Sequence, residues 1–495
     1  MSLSRRDFLK LGGLVATSAA LSACAPKVFQ QLAGKPPLSA WGLLSQPDFL
    51  ALNRLSFGPR TEERARFEQI GLQAWVEEQL TPESIDDLAC DLRLESLDTL
   101  KMKAYELADL SDQIFDNLDL TTVPDELRRA TLLRQVYSRR QLFEVMAEFW
   151  NDHFNITTEK GDCFYLKTVD DREVVRKHAL GSFRDLVWAS AHSPAMLVYL
   201  DNQANHKGAP NENYARELME LHTLGVNGGY SQQDVMELAR CLTGWSVKEH
   251  FWTGDFIFNE DFHDTDIKTV LGMTIQNSGQ SEAEGVIERL AEHPSSAHFV
   301  ATKLARRFLA DPPPAGIVER AASAFTRTRG DIRAVLRVIL LDGLALSVPK
   351  YKRPVNFVAS SLRMLNADTD SGPAVQDYLL RMGQVAFNWP TPDGYPDRNN
   401  AWQGNLMPRW QFAFALLRGE LENTSINLQE LQDISGAKNL PETVDTLGSL
   451  LLGAALNPAL RDELIASVRS AGAREEETLA VLTGGILASP AFQWR

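Results

Sequence analysis

The chain has 495 residues, 44% of them hydrophobic, and a formal net charge of −15. That length and apolar share supply a core for one large helical domain or for two or three smaller ones. So acidic a balance argues against nucleic-acid binding, which calls for a basic footprint, and favours solubility over adhesion to anionic lipid.

The N-terminus carries an address. Ser4-Arg5-Arg6-Asp7-Phe8-Leu9-Lys10 reads as a twin-arginine export signal, with Arg5 and Arg6 as its recognition pair. The uncharged segment that follows, 11–23, is too short for a permanent membrane span. It ends in Leu21-Ser22-Ala23-Cys24, which resembles a lipobox, so cleavage before Cys24 and acylation of that residue are expected. Each buried methylene of an acyl chain contributes about 0.8 kcal/mol to membrane attachment. The plainer reading is a secretory signal with a chance Cys. Ala25, standing where Asp would signal inner-membrane retention, favours the outer membrane. Chains exported by this route cross already folded, often with a cofactor in place. A cofactor is therefore left open, with one divalent metal as the class the residues could hold.

Residues 24–46 read as a lipidated tether stiffened by Lys35-Pro36-Pro37. The body, 47–495, is expected to be all-α: one large multi-helix domain with long polar loops and at most one short β-hairpin. Short amphipathic runs broken by Gly and Pro recur, and strand signals are rare. DFLALNRL stops at Ser56-Phe57-Gly58-Pro59. TEERARFEQI follows with Thr61 as its N-cap and Gly71 past its end, and LQAWVEEQL is the next helix. Cys90, Cys163 and Cys241 are too few and too scattered for a disulfide scaffold, and no CxxC pair offers a zinc ribbon.

From Pro124 a long amphipathic run places Leu142, Met146, Phe149 and His153 on one face. His153 is thus either a core histidine with a satisfied hydrogen bond or a functional group held dry, as metal ligand or proton shuttle. The richest stretch is 199–245. At 100° per residue, Asn213, Glu217, Glu220 and Leu224 share one helical line. Two carboxylates beside Leu and Tyr must be paired, protonated or cation-bound. Arg216 next to Glu220 offers a structural ion pair. The functional reading makes Glu217, Glu220 and Asp234 acid–base carboxylates, with Asn211 and Asn213 as substrate-binding amides. His222 points elsewhere, so ExxExH is not a one-faced metal triad.

After Trp245, the alternation in FWTGDFIFN suggests the one credible hairpin strand. His263 and Asp264 lie in an exposed-looking turn and, with His153, are the candidate metal ligands. HPSSAHFVATKLARRFL is a clean helix after Pro294. Another helix opens near Asp331. The loop 388–410 (NWPTPDGYPDRNNAWQGNLMPRW) breaks the helical pattern. Its Trp389, Asp393, Tyr395 and Trp402 suit stacking on sugar rings with hydroxyls bonded at the rim. The alternative is an Ω-like loop whose aromatic side chains plug the core.

Taken together, LNRLSFGP, EFWNDHF, NENYARELMELHTLGV, DVMELARCLTGW, HDTDIKTVLG, NWPTPDGYP and ILASPAFQWR resemble the bacterial domain-of-unknown-function family numbered 1800. The similarity runs in order through about 47–495. Asn151 stands where His is common in that family, and Asp266 where Gly is usual. The resemblance implies an exported, mainly helical protein and carries no catalytic assignment. The Asn151 departure weakens a two-His metal site.

No GxSxG elbow, P-loop or dinucleotide fingerprint is present in a strand–helix setting, which argues against serine hydrolase, nucleotide hydrolase and Rossmann chemistry. The leading expectation is a cell-envelope lipoprotein that acts on polysaccharide, hydrolase-like and metal-dependent or not. The competing expectation is a non-catalytic lipoprotein that binds glycan or an envelope protein. Saturation of both Glu217 and Glu220 by arginine would favour the binder.

Overall fold

Helices in this chain start where a side chain can satisfy the free N–H groups of a first turn. Asn439 and Asp331 accept from the backbone N–H groups of Glu442 and Ala334. Ser231 and Asp234 form a reciprocal capping box at Gln232–Cys241. A computed structural model describes residues 25–41, 44–115, 121–248, 254–471 and 475–495. Arg5, Arg6, Cys24 and the FWT of the expected hairpin strand lie outside the described residues. The protein is mainly α-helical, with 64% of residues in helix.

One apolar cluster runs from Leu44 to Phe492 and unites the body as a single domain. A satellite cluster of Tyr351, Tyr395 and Trp402 sits beside it. Among the described residues no helix is long and apolar enough to cross a membrane. Buried arginines tie distant segments together. Arg363 Nη2 meets Glu63 Oε1 at 2.5 Å, and Arg60 bonds Asn366 Oδ1 at 2.9 Å and the Val136 carbonyl at 2.8 Å.

Several local expectations need correction. The helix Thr61–Gln79 is capped by Arg60, not Thr61. Glu63 accepts from the Arg60 N–H, and the Thr61 hydroxyl is occupied by the Ser39 N–H at 3.1 Å. Gly71 does break this helix, at φ 74°. The expected tether does not hang free from residue 25 onward. Ala25–Ala33 is helical and packs on Leu88–Leu94. Leu38, Trp41 and Leu44 join the core, while Arg93 and Asn366 bond the carbonyls of Gly34 and Pro36.

Three two-stranded antiparallel ladders occur among the described residues, where one hairpin was expected. Phe256–Phe258 pairs with Trp245–Val247. Lys268–Val270 pairs with Met273–Ile275 across Leu271-Gly272. Both turn residues have positive φ, 49° and 73°, the two-residue geometry that matches strand twist. Strands of three residues are too short for alternation to register in sequence.

Candidate functional site

The site is built where two helices, a helix N-cap and the 388–398 loop converge. The helix Gln141–His153 ends in the run EFWNDHF and presents Asp152 and His153. The helix Pro294–Phe308 presents Lys303, Arg306 and Arg307, at i, i+3 and i+4 on one face. Arg353, the N-cap of Pro354–Met364, adds a third wall. The loop closes the space with residues 393–398. It can do so because Gly394 (φ 71°) lies against the Asp152 carbonyl, where a Cβ would sit 1.9 Å from the oxygen. The resulting cleft has a volume of about 390 Å³, within the size range of small-ligand sites.

Its charges are paired in a chain. Arg353 Nη1 lies 2.7 Å from Asp152 Oδ2 and 3.7 Å from Glu148 Oε1. Arg307 pairs with Glu148 through Nη2 and approaches Asp397 at 3.9 Å. Lys350 Nζ meets Asp397 Oδ1 at 2.9 Å. Burial opposes ionisation of Asp397, yet Lys350, Arg307 and Arg353 prevail and hold its pKa well below the usual carboxylate range. Burial pushes Lys350 down to about 8, and Lys303 to about 8 as well. Burial raises the Asp152 pKa.

His153 belongs to this cleft, but not as a metal ligand. Its Nδ1 accepts from Lys303 Nζ at 2.8 Å, and its Nε2 donates to the His222 carbonyl at 3.0 Å. Burial, then Lys303 and His222, depress its pKa well below the histidine norm, so the ring is neutral. His263 is buried rather than exposed. Its ring nitrogens face the Thr243 carbonyl at 2.8 Å and Glu282 Oε1 at 3.1 Å. Asp264 is held by Arg240, with Nε–Oδ2 at 2.8 Å and Nη2–Oδ1 at 3.1 Å. Neither lines the cleft, and among the described residues no three His, Cys, Asp or Glu side chains gather as a metal-holding group.

The acidic pair stands apart from its neighbours. Arg216 turns away from Glu220 and bonds Glu212 at 2.8 Å and Gln232 at 3.0 Å. Glu217 is half-buried, with no hydrogen-bond or ionic partner among the described residues. Burial, then Glu220 and, after the opposing pull of Arg216, Asp393 raise its pKa. Asp393 also raises the Lys303 pKa slightly. Glu220 meets only the Tyr230 hydroxyl, at 3.4 Å. The backbone is α-helical over Glu212–Glu217 and then π-helical over Leu218–Thr223. The wider π turn invalidates a 100° wheel beyond Glu217, and such turns recur at functional sites.

Other expected site residues serve the fold. Asp234 takes the Ser231 N–H at 2.8 Å and the Leu271 N–H at 2.6 Å, which pins the tight turn to its helix. Those hydrogen bonds lower its pKa against burial, so it is no proton donor. Asn211 caps Glu212–Glu217 by accepting from the Asn213 N–H. Asn213 Nδ2 bonds the Leu200 carbonyl at 3.2 Å. Tyr395 and Trp402 are buried as plugs, donating to the carbonyls of Val385 and Pro396 at 2.7 and 2.8 Å. Trp389 is partly buried and donates to Asp393 Oδ1 at 3.0 Å. Tyr395 and Trp402 present no open platform because burial and their bonds to the Val385 and Pro396 carbonyls turn them inward.

Sequence reasoning missed Lys303, Arg306, Arg307, Lys350 and Arg353. The available signal was KLARRF, but basic residues in a last helical turn are also what the helix dipole favours. No curated protein and no solved structure matches this chain. The family model described as "Protein of unknown function (DUF1800)" matches residues 50–494, so the chain belongs to the DUF1800 family.

Proposed function

We propose that this protein is an exported, lipid-anchored envelope hydrolase acting on polysaccharide. The cleft is its binding site, and Glu217 and Glu220 are its acid–base pair. One observation carries the reading: Arg216 is committed elsewhere, which leaves Glu217 and Glu220 without a salt-bridge partner among the described residues, while Glu217 feels the charge of Asp393 in the cleft lining. Two carboxyls whose environments differ divide the work of glycoside cleavage. Glu217, whose pKa burial and Glu220 raise, is the carboxyl assigned to donate a proton to the leaving glycosidic oxygen as the C–O bond breaks. Glu220 takes the proton of the water whose oxygen bonds the sugar carbon.

The test is release of reducing ends from a panel of neutral and acidic polysaccharides. Cleavage by the native protein should fall about 10²–10⁴-fold in Glu217→Gln and again in Glu220→Gln. Glycan binding without any reducing-end release would overturn the hydrolase and leave a non-catalytic glycan-binding lipoprotein. Arginine pairing of both Glu217 and Glu220 would have favoured that second reading, and Arg216 pairs with Glu212 instead.

A further inference from the structure

Charge is distributed unevenly around the cleft. Five cations line it (Lys303, Arg306, Arg307, Arg353 and Arg398) against three carboxylates (Asp152, Asp393 and Asp397). Glu148 and Asp311 pair with Arg307 and Arg306 from outside the lining, so the unpaired positive charge of the cleft is that of Lys303 and Arg398, which have no salt-bridge partner among the described residues, in a chain with a net charge of −15. The lining carboxylates are already engaged. Asp152 is taken by Arg353, and Asp397 by Lys350 and Arg307. Asp393 accepts from Trp389 at 3.0 Å and Thr391 at 2.5 Å. Lys303 has no carboxylate within salt-bridge distance among the described residues; its amine meets the neutral His153.

The hydrogen-bond inventory points the same way. The side chains of Arg307 and Arg353 are only 1% and 4% exposed. Each has one nitrogen hydrogen-bonded to a carboxylate; among the described residues Arg307 Nε and Nη1 and Arg353 Nε and Nη2 lack a hydrogen-bond acceptor, Arg307 Nη1 only approaching Asp397 Oδ1 at 3.9 Å. Arg306 Nε lies 3.4 Å from Asp311 Oδ1 without forming a hydrogen bond, and Arg495 Nη1 lacks an acceptor too. Against these six donors stand two unbonded acceptors nearby, Glu148 Oε1 and Asp397 Oδ2. Buried donors in folded proteins are nearly always satisfied. Removing charges from water without full pairing is costly, so such an excess marks a place for an additional anion. Guanidinium groups match planar or multi-oxygen anions through paired N–H bonds.

We infer that the cleft receives an oxyanion carried on a sugar, the carboxylate of a uronic acid or a sulfate ester, with Lys303, Arg306 and Arg353 facing the anion. The volume of about 390 Å³ accommodates a sugar ring as well as its charged group. This assignment rests on the polysaccharide reading above and specifies the substrate class. Lys303 is the entry cation: it is partly exposed, and its contact with His153 uses one of three donor positions.

Calorimetric titration of the full-length protein with glucuronate, glucose 6-sulfate and glucose tests this directly. Both acidic sugars should bind and glucose should not, with affinity falling as salt rises. The stronger of the two identifies carboxylate or sulfate as the group recognised. Lys303→Met and Arg306→Gln, each verified as folded by thermal melting, should each weaken acidic-sugar binding at least tenfold, and Lys303→Arg should restore most of it. Glucose binding as tightly as glucuronate overturns the inference. So does acidic-sugar binding that survives both folded variants, or inorganic sulfate binding as tightly as the sulfated sugar. Failure here is separable from failure of the hydrolase. Glu217→Gln should keep acidic-sugar binding while losing cleavage. Cleavage of neutral glycan without acidic-sugar binding would sink the inference alone.

Discussion

Lys303 donates to His153, and His153 donates onward to the carbonyl of His222, a second buried imidazole whose ring nitrogens have no hydrogen-bond partner among the described residues. Burial, then Lys303, pushes the His222 pKa down to about 3. Both rings are therefore neutral in the folded state, whereas in the unfolded chain each titrates near 6.5. As pH falls below about 6.5, the unfolded chain takes up protons that the folded chain refuses. The stability contribution is thus complete above that value and is lost as pH drops towards about 3. Urea denaturation at pH 6.5 and pH 5 should show the native protein losing about 1–2 kcal/mol more than His222→Phe over that interval. Matching losses would mean that His222 carries its proton in the folded state. Glu217 has the opposite sense: its raised pKa makes ionisation a cost of folding that vanishes in acid.

At the level of elements, the functional loops depend on contacts that leave no room for substitution. Gly394 sets the loop 388–398 on the end of the helix Gln141–His153. Gly394→Ala would face both a left-handed φ and a backbone oxygen at 1.9 Å. It should cost about 1–3 kcal/mol from backbone strain alone and lift the loop from the cleft. Loss of acidic-sugar binding together with a lowered melting temperature would register both effects. A variant that melts and binds like the native protein would show that the loop is not seated on Asp152. Asp234 plays an analogous part, since one carboxylate caps the helix Gln232–Cys241 and holds the Leu271 N–H of a strained turn.

For the whole molecule, the docking of residues 25–41 changes how an anchor at Cys24 would act. With Ala25–Ala33 against Leu88–Leu94 and Trp41 on the core, little slack separates an acyl chain from the body. A lipid-anchored body would then lie against its membrane rather than on a spacer. Expressed with its own N-terminus, the protein should fractionate with membranes and yield an acylated Cys24 on mass analysis, while Cys24→Ser should shift it to the soluble fraction. Equal membrane association of the two forms would refute the anchor. The three thiols described in the body are buried and free, and burial raises the pKa of Cys163 and Cys241 to about 12. They are protected from oxidation by enclosure rather than by pairing.

Local chemistry determined much of this protein. Helical periodicity, Gly and Pro punctuation and capping residues such as Asp331 and Ser231 announce a mainly α domain, because they act within one or two turns of the chain. The family motifs likewise marked segments that meet at the cleft: EFWNDHF ends beside it and the DGYP of NWPTPDGYP covers it. Tertiary structure alone decided which polar groups remain free. Asn211, Asn213, Asp234, His263 and Asp264 looked like chemistry until backbone carbonyls, N–H groups and Arg240 reached them from elsewhere. Lys303, Arg307 and Arg353 looked like ordinary helix termini until folding brought them together over one space. Burial and pairing depend on segments as far apart as Arg60 and Asn366, separated by 306 residues, and no spacing rule within a single segment encodes them.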